Sequence, residues 1–95
     1  MEIESVSHKN LRKFLESGKA KGVMEADRVM DMVAFIAAAE TLDDLRTPPN
    51  FGFHALKENR KGEYAMTVTK NWRLTFTLTD DQTISNLDLE DYHRK

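Results

Sequence analysis

Residues 72–79 read Trp72-Arg73-Leu74-Thr75-Phe76-Thr77-Leu78-Thr79, and this stretch alternates apolar with polar side chains without a break. Because successive side chains of a β-strand point to opposite faces of a sheet, the alternation predicts a strand with one buried and one solvent-facing side. Trp72 falls on the buried side despite its aromatic ring, and Arg73 falls on the solvent-facing side. The rest of the fold must therefore cover the Trp72 side of this strand.

Shorter runs around this strand predict an antiparallel sheet. The last strand, about Thr83–Glu90, changes parity between Ile84 and Leu87, which predicts a bulge or an early end. The turns between strands fall in polar segments, namely 57–62, 69–71 and 80–82. The remaining strands are expected at Glu2–Val6, at Phe51–Lys57, and through the alternating residues Tyr64, Met66 and Val68.

Two helices are expected before the sheet. Ser7 is a candidate N-cap for the first, which carries an apolar stripe from Leu11 to Leu15, and Gly18 is a candidate stop. The second helix is expected over Val23–Ala39, and Thr41 caps a short turn before the break at 47–50. The apolar positions of the second helix recur at helical spacing: Ala26, Val29, Met30, Val33, Ile36 and Ala37.

Three large apolar residues, Met24, Met32 and Phe35, fall outside that stripe. We expect them to pack in the core against the first helix, and the alternative is an exposed groove for a partner. Grouped helices beside hairpin-connected strands predict an α+β protein, with two helices on one face of a twisted, mainly antiparallel sheet. The length of 95 residues predicts one domain over residues 1–95.

The composition excludes several classes of protein. The chain has no cysteine, so it has neither disulfides nor a thiolate metal site. No apolar run reaches the roughly 18 residues of a membrane span, and the first residues are acidic, so we expect a cytoplasmic protein without membrane contact. The formal net charge is −2, but the segment from His54 to Arg73 has five basic and two acidic side chains, a net charge of +3. A local basic face of this kind is compatible with RNA binding.

The same half of the chain concentrates groups suited to phosphodiester cleavage. Cleavage of RNA at its own 2′-hydroxyl needs a base, an acid and cations that hold the charge on the phosphate. Histidine suits proton transfer because its unperturbed pKa, about 6.5, lies near neutrality, so His54 and His93 are a candidate acid–base pair. Lys57 and Arg73 are candidates for binding the phosphate. Asp91 can orient an imidazole, and Tyr92 can stack on a base or donate its proton; Arg60, Lys61 and Lys70 are further candidate RNA contacts.

Each of these residues also has an ordinary interpretation. A lone histidine in a strand is more often a packing residue, Lys57 can be a hairpin lysine, and Arg73 can be a cross-strand partner on a wet face. Asp91 and His93 can belong to a polar tail. His54, Asp91 and His93 can also be read as a metal-binding triad. We do not favour that triad, because neighbouring lysine and arginine would repel a cation.

The order of three motifs matches a known family. His54-Ala55-Leu56-Lys57 is followed by Asn71-Trp72-Arg73-Leu74-Thr75-Phe76 and then by Glu90-Asp91-Tyr92-His93. With Ser7-His8-Lys9-Asn10-Leu11 near the start, the chain resembles the HigB toxins, a branch of the RelE/ParE superfamily. The resemblance implies a RelE-like fold with its active site on the concave side of the sheet. It also implies that the catalytic residues converge there: His54, Lys57, Arg73, Asp91, Tyr92 and His93.

The resemblance implies a function as well as a fold. HigB-like toxins of type II toxin–antitoxin modules cut messenger RNA in the A site of the 70S ribosome without a cofactor or metal, which inhibits translation. The implied partner is a HigA-like helix-turn-helix antitoxin, and operator DNA is bound only through the antitoxin complex. One alternative is a catalytically inactive RelE-fold binding module that acts through an antitoxin or ribosome contact. Another is an accessory protein that tunes the affinity of an antitoxin for its operator.

Overall fold

The computed structural model describes residues 1–80 and 82–91. These residues include a five-stranded sheet in the order β1-β5-β4-β3-β2. Strand β1 runs parallel to β5, and the other neighbouring pairs are antiparallel. The strands are β1 (Glu2–Ile3), β2 (His54–Ala55), β3 (Glu63–Thr67), β4 (Trp72–Asp80) and β5 (Thr83–Asp91).

Two helices, α1 (Lys9–Ser17) and α2 (Ala26–Ala38), bury their apolar sides against one face of this sheet. From β4, Leu74 and Phe76 point into the core, and Trp72 packs half-buried against it, as the alternation predicts. The α+β class and the mainly antiparallel sheet are therefore confirmed. The core residues of the helices are Leu11, Phe14, Val29, Met32, Val33 and Ile36, and those of β3 and β5 include Met66, Ile84, Leu87 and Leu89.

The opposite face of the sheet, here called the open face, carries Arg73 and Thr75 of β4. In register with them lie Thr67 and Ala65 of β3, and Glu90 and Asp88 of β5. Directly paired residues in a sheet project to the same side, so a polar row runs across three neighbouring strands. The placement of Arg73 on the side away from the helices is confirmed.

The bulge predicted in the last strand is also confirmed. Thr75 pairs with Asp88 and Thr77 pairs with Ser85, so β5 has one more residue than β4 over this step. Asn86 supplies the extra residue in a left-handed conformation with φ of 55°. Asparagine tolerates this conformation better than most residues. The bulge restores the apolar side of β5 to the core, because it brings Ile84, Leu87 and Leu89 all to the helix side.

Two predicted strands are too long. The strand expected at Phe51–Lys57 is reduced to His54–Ala55, because Phe51 and Gly52 have positive φ values of 49° and 69°. A β-strand needs negative φ throughout, so the chain turns at these residues before it pairs with β3. The strand expected at Glu2–Val6 ends at Ile3, and Val6 makes only an isolated parallel bridge to Leu87.

Helix α1 begins one residue later than the sequence suggests. The predicted N-cap Ser7 is wrong, because its backbone N–H donates to the Leu87 carbonyl at 2.7 Å and keeps this part of the chain against β5. His8 is the N-cap instead, and its Nδ1 accepts the N–H of Leu11 at 3.0 Å. The stop at Gly18 is confirmed, since this residue is left-handed and donates to the Phe14 carbonyl.

Helix α2 spans Ala26–Ala38 rather than Val23–Ala39, because Glu25 has a left-handed conformation that cannot continue a helix. Of the six positions of the predicted stripe, three are buried and Ala26 is partly buried against the core, whereas Met30 and Ala37 are exposed, so the prediction is wrong at these two. Of the three residues outside that stripe, Met32 is buried and Phe35 packs partly buried on the core, whereas Met24 is exposed. The buried stripe is therefore Val29, Met32, Val33 and Ile36.

Within residues 1–80 and 82–91, neither helix is both long and apolar enough to cross a lipid bilayer.

Candidate functional site

The centre of the open face is an ion pair between Arg73 and Glu90, which are directly paired across β4 and β5. Arg73 donates from Nε and Nη2 to Oε1 of Glu90, at 3.0 and 2.8 Å. The hydroxyl of Thr75 donates to the other carboxylate oxygen at 3.3 Å. The Arg73 side chain keeps only 18% of its exposure in this arrangement. The alternation of β4 thus turns Arg73 toward Glu90 and Thr75, as a direct consequence of strand geometry.

A second guanidinium, from Arg60, reaches the same carboxylate from the loop before β3. Its Nη1 and Nη2 donate to Oε1 and Oε2 of Glu90 at 2.7 and 3.1 Å, which is a two-pronged contact. Arg60 also donates to Glu63, with distances of 2.7 and 3.3 Å. The loop can deliver this side chain because it bends through a 3₁₀ turn over Glu58–Arg60, with positive φ angles at Glu58 and Gly62.

This network changes the acidity of its members. The hydrogen bond from Arg60 is the main cause that lowers the pKa of Glu90 to about 2; partial burial opposes the shift and the hydrogen bond from Arg73 adds to it. The pKa of Arg60 is raised above its usual value, first by Glu90 and then by Glu63. Both shifts favour the ionised forms of Glu90 and Arg60. Two positive and two negative charges make the cluster neutral overall.

His54 lies at the edge of the open face. It pairs with Ala65, which in turn pairs with Thr75, so the register puts His54 on the same side of the sheet as Arg73. Two strand spacings, about 10 Å, separate its backbone from that of Thr75. The imidazole is exposed, and its Nδ1 lies 2.8 Å from the carbonyl oxygen of Gly52. That contact holds Nδ1 against the backbone, so Nε2 points away from the Gly52 carbonyl.

The predicted lysines lie at two ends of β3. Lys57 and Lys61 are exposed in the loop before it, where they line a cleft of about 490 Å³ with Leu56 and Tyr64. Lys70 is exposed in the turn after β3, at the other end of the strand. The five basic residues from His54 to Arg73 therefore occupy three places. Two lysines lie in the loop before β3, one lysine lies in the turn after it, and the two arginines form ion pairs on the open face.

Of the three carboxyl-terminal candidates, the structure describes Asp91. Asp91 ends β5 and pairs with Trp72, so the register directs it to the helix side rather than to the open face. Tyr92 and His93 lie outside the described residues. Among the residues that the structure describes, no three histidine, aspartate or glutamate side chains cluster closely enough to hold a metal ion.

Sequence reasoning missed Glu90 and Glu63 as members of this site. Glu90 was visible only as the first letter of the Glu90-Asp91-Tyr92-His93 motif, and Glu63 was counted only as a charge. The signal that could have found Glu90 is cross-strand pairing, since an acid directly opposite Arg73 forms a favourable pair. That pairing cannot be read along the chain, because the bulge at Asn86 changes the register of β5.

Known structures share this architecture. The fold is similar to that of YafQ from E. coli strain BL21(DE3), with a TM-score of 0.66 and 17% sequence identity, over 97% of this chain and 93% of that chain. A YafQ mutant from E. coli aligns over the same shares of the two chains with a TM-score of 0.64 and 17% identity. These likenesses define the class of the protein as a small α+β domain with a RelE-like fold.

Sequence comparison narrows the class to a family. Endoribonuclease HigB from Proteus vulgaris is 34% identical over 93 residues, which cover 96% of this chain and 99% of that protein. The family described as the RelE-like toxin of the type II toxin–antitoxin system HigB matches residues 4–93. The chain belongs to this HigB-like toxin family. Membership implies that its partner is an antitoxin.

Proposed function

We propose that this protein is a ribosome-dependent messenger-RNA endonuclease that cuts mRNA in the ribosomal A site without a metal ion. The observation that carries the proposal is the shared face of His54 and Arg73, in a chain that aligns along 96% of its length with an endoribonuclease. A histidine supplies proton transfer, and an arginine binds the phosphate that reacts. The shared face supports the proposal, because one RNA strand lying across the sheet could contact both side chains.

In the proposed reaction the 2′-hydroxyl oxygen attacks the adjacent phosphorus and the bond from phosphorus to the 5′ oxygen breaks. One imidazole of the pair His54 and His93 takes the 2′ proton, and the other protonates the departing oxygen. Lys57 and Arg73 stabilise the charge that grows on the phosphate. Tyr92 stacks on a base or donates its proton. Asp91 is given no step in this reaction, because its pairing with Trp72 directs it to the helix side of the sheet. The products are a 2′,3′-cyclic phosphate and a 5′-hydroxyl.

The ribosome has a physical role in this proposal. Affinity for free RNA comes mainly from phosphate neutralisation, and two of the site's arginines are already neutralised by Glu63 and Glu90. Because the ribosome holds the mRNA in position at the toxin, the protein does not need a high affinity for free RNA. Lys61 and Lys70, with Arg60, contact the RNA backbone on either side of the reacting phosphate.

Translation in a purified system, followed by primer extension on the mRNA, tests the activity. We expect cleavage by the wild type and a loss of at least about 100-fold in rate for His54→Ala and for Arg73→Ala. Arg12→Ala, which removes an exposed arginine from α1, is the matched control and should cut like the wild type. Equal cleavage by all four proteins would show that the two residues have no catalytic role.

The ends of the cut mRNA test the chemistry. Attack by the 2′-hydroxyl leaves a 5′-hydroxyl, which polynucleotide kinase labels without prior phosphatase treatment. Replacement of the reacting nucleotide by its 2′-deoxy form should abolish the cut. A 5′-phosphate end, or cleavage of the 2′-deoxy substrate, would indicate attack by water instead and would contradict attack by the 2′-hydroxyl.

The partner is proposed to be a HigA-like helix-turn-helix antitoxin, which inhibits the toxin and carries it to operator DNA. Expression of the toxin gene alone should arrest growth, and co-expression with its chromosomal neighbour should restore it. Operator binding in a gel-shift assay should require the neighbour's product. Binding of operator DNA by the toxin alone would contradict this division of roles.

A second candidate is a catalytically inactive binding module that acts through an antitoxin or ribosome contact. The neutral cluster of Arg60, Glu63, Arg73 and Glu90 favours it, since a neutral site attracts phosphate weakly. This candidate predicts co-purification with the antitoxin without growth arrest and without mRNA cleavage. The primer-extension result for the wild type separates the two functions.

A further inference from the structure

We propose that Glu90 is an internal occupant of an oxyanion site formed by Arg60 and Arg73, and that it restrains binding of RNA phosphates until the substrate is positioned by a larger partner. The inference rests on the proposed function only in taking RNA as the ligand. It assigns a role to Glu90, which opens the Glu90-Asp91-Tyr92-His93 motif but is not among the catalytic residues that the resemblance implies.

The contacts of Glu90 are those that a phosphate would make. Oxygen Oε1 accepts hydrogen bonds from Nη1 of Arg60 at 2.7 Å and from Nε and Nη2 of Arg73 at 3.0 and 2.8 Å. Oxygen Oε2 accepts from Nη2 of Arg60 at 3.1 Å and from Thr75 at 3.3 Å. Guanidinium groups bind carboxylates and phosphates with the same fork of parallel donors. A bound phosphodiester would therefore compete with Glu90 for these same donors.

The charges of Glu63 and Glu90 also oppose the binding of a phosphate. The carboxylates of Glu63 and Glu90 cancel the charges of the two arginines, so an approaching phosphodiester meets a cluster without net attraction. It also meets the negative charge of Glu90 itself at close range, and like charges repel strongly where solvent is partly excluded. Because the pKa of Glu90 is about 2, that charge persists throughout the physiological range.

The site is also reachable from solvent. The side chains of Arg60 and Glu90 keep 33% and 25% of their exposure. Loss of the Glu90 charge would thus leave the guanidiniums accessible to an external anion, not sealed in the protein as unpaired charges. Thr75 is only 2% exposed, and its hydroxyl donates to Glu90 from the strand beneath the two guanidiniums. A site that is preformed, open and occupied by an internal anion is suited to exchange that anion for a phosphate.

The substitution Glu90→Gln tests the inference, with Asp88→Asn as the matched control. Asp88 lies on the same strand and the same side of the sheet, and its Oδ1 accepts the N–H of the neighbouring Leu89 at 2.9 Å. Both substitutions change the net charge by the same amount. Binding of a labelled single-stranded 2′-O-methyl oligonucleotide, which cannot be cleaved at its 2′ position, is measured by fluorescence anisotropy over a range of salt concentrations.

We expect Glu90→Gln to bind the oligonucleotide at least about tenfold more tightly than the wild type near 0.1 M salt. One or two new phosphate contacts should steepen the slope of log K against log salt by about 0.7 to 1.4. Asp88→Asn should change the affinity less than about twofold, with an unchanged slope. Affinity of Glu90→Gln equal to that of Asp88→Asn, or below that of the wild type, would overturn the inference and make Glu90 a structural brace.

A second variant protects the test against misfolding. Glu90→Asp keeps the charge but shortens the side chain by one methylene, so the carboxylate withdraws from both guanidiniums. If Glu90→Gln does not fold, Glu90→Asp should bind the oligonucleotide more tightly than the wild type, and unchanged binding would overturn the inference. Primer extension with the wild type tests the nuclease function independently of the binding measurements. Tighter binding by Glu90→Gln without any wild-type cleavage would support the anion site and reject the nuclease.

Discussion

Glu90 ionises at a pH at which an exposed glutamate is still protonated. Hydrogen bonding by Arg60 is the main cause that lowers its pKa from the usual 4.5 to about 2. A carboxyl group whose pKa is lower in the folded state stabilises the protein above the unfolded pKa, and this contribution is lost as the pH falls through the folded pKa. The relevant window is therefore about pH 4.5 down to about pH 2. Solvent screening of these partly exposed charges reduces the contribution to about 2 kcal/mol.

Urea unfolding at pH 7 and pH 3 tests this linkage. On going to pH 3 the wild type should lose about 1 kcal/mol more of its free energy of unfolding than Glu90→Gln does, since the amide does not titrate. Other carboxyl groups titrate in both proteins, so the difference between them isolates Glu90. An equal pH dependence in the two proteins would show that Arg60 and Arg73 do not stabilise the ionised carboxylate.

The individual residues of the site were predictable to different degrees. Arg73 was assigned to the correct face from alternation alone, because β4 is regular and its apolar residues are strongly segregated. The partner of Arg73 was not predictable, since it depends on which residue of β5 lies opposite. For His54 the expected strand was too long, yet its side of the sheet follows from the short pairing with β3. The roles of His54, Lys57 and Arg73 in catalysis remain predictions.

At the scale of elements, boundaries depended on contacts between distant parts of the chain. Ser7 has the better intrinsic preference for an N-cap, but its backbone is bonded to Leu87 of β5, so the cap moves to His8. Glu25 and Phe51 adopt positive φ angles that no local pattern indicated. The bulge in β5 was predictable because the apolar residues change from an even position at Ile84 to odd positions at Leu87 and Leu89.

The cap of α1 gives a prediction at this scale. His8→Ala removes the acceptor of the Leu11 N–H and should lower the free energy of unfolding by about 1 kcal/mol. His8→Asn supplies a side-chain oxygen for the same N–H and should recover most of that loss. Ser7→Ala is the control and should cost less than about 0.5 kcal/mol. Amide exchange at Leu11 should accelerate in His8→Ala, and a larger loss in Ser7→Ala would restore Ser7 as the cap.

At the scale of the whole molecule, one sheet separates two kinds of residue. Leu74 and Phe76 pack in the core on the helix side of β4. The alternate residues Arg73 and Thr75 make the hydrogen bonds to Glu90 on the open face. This division was predictable because burial and alternation have the same period in β4. The neutrality of the network was not predictable, since counting charges along the chain gave a basic segment. Pairing across strands brings Arg60 and Arg73 of that segment into a balanced cluster with Glu63 and Glu90.

Because Leu74 and Arg73 lie on opposite faces of β4, their substitution by alanine should impair different properties, namely folding for Leu74 and activity for Arg73. Leu74 is fully buried, so Leu74→Ala should cost roughly 2–5 kcal/mol, a large part of the stability of a 95-residue domain. Growth arrest by this variant should disappear at 37 °C and return at 20 °C, where more of it is folded. Arg73→Ala should fold at both temperatures, as circular dichroism can verify, and should arrest growth at neither. Recovery of toxicity by Arg73→Ala at 20 °C would mean that Arg73 supports the fold and not the reaction, because cooling restores folding but cannot replace a missing guanidinium.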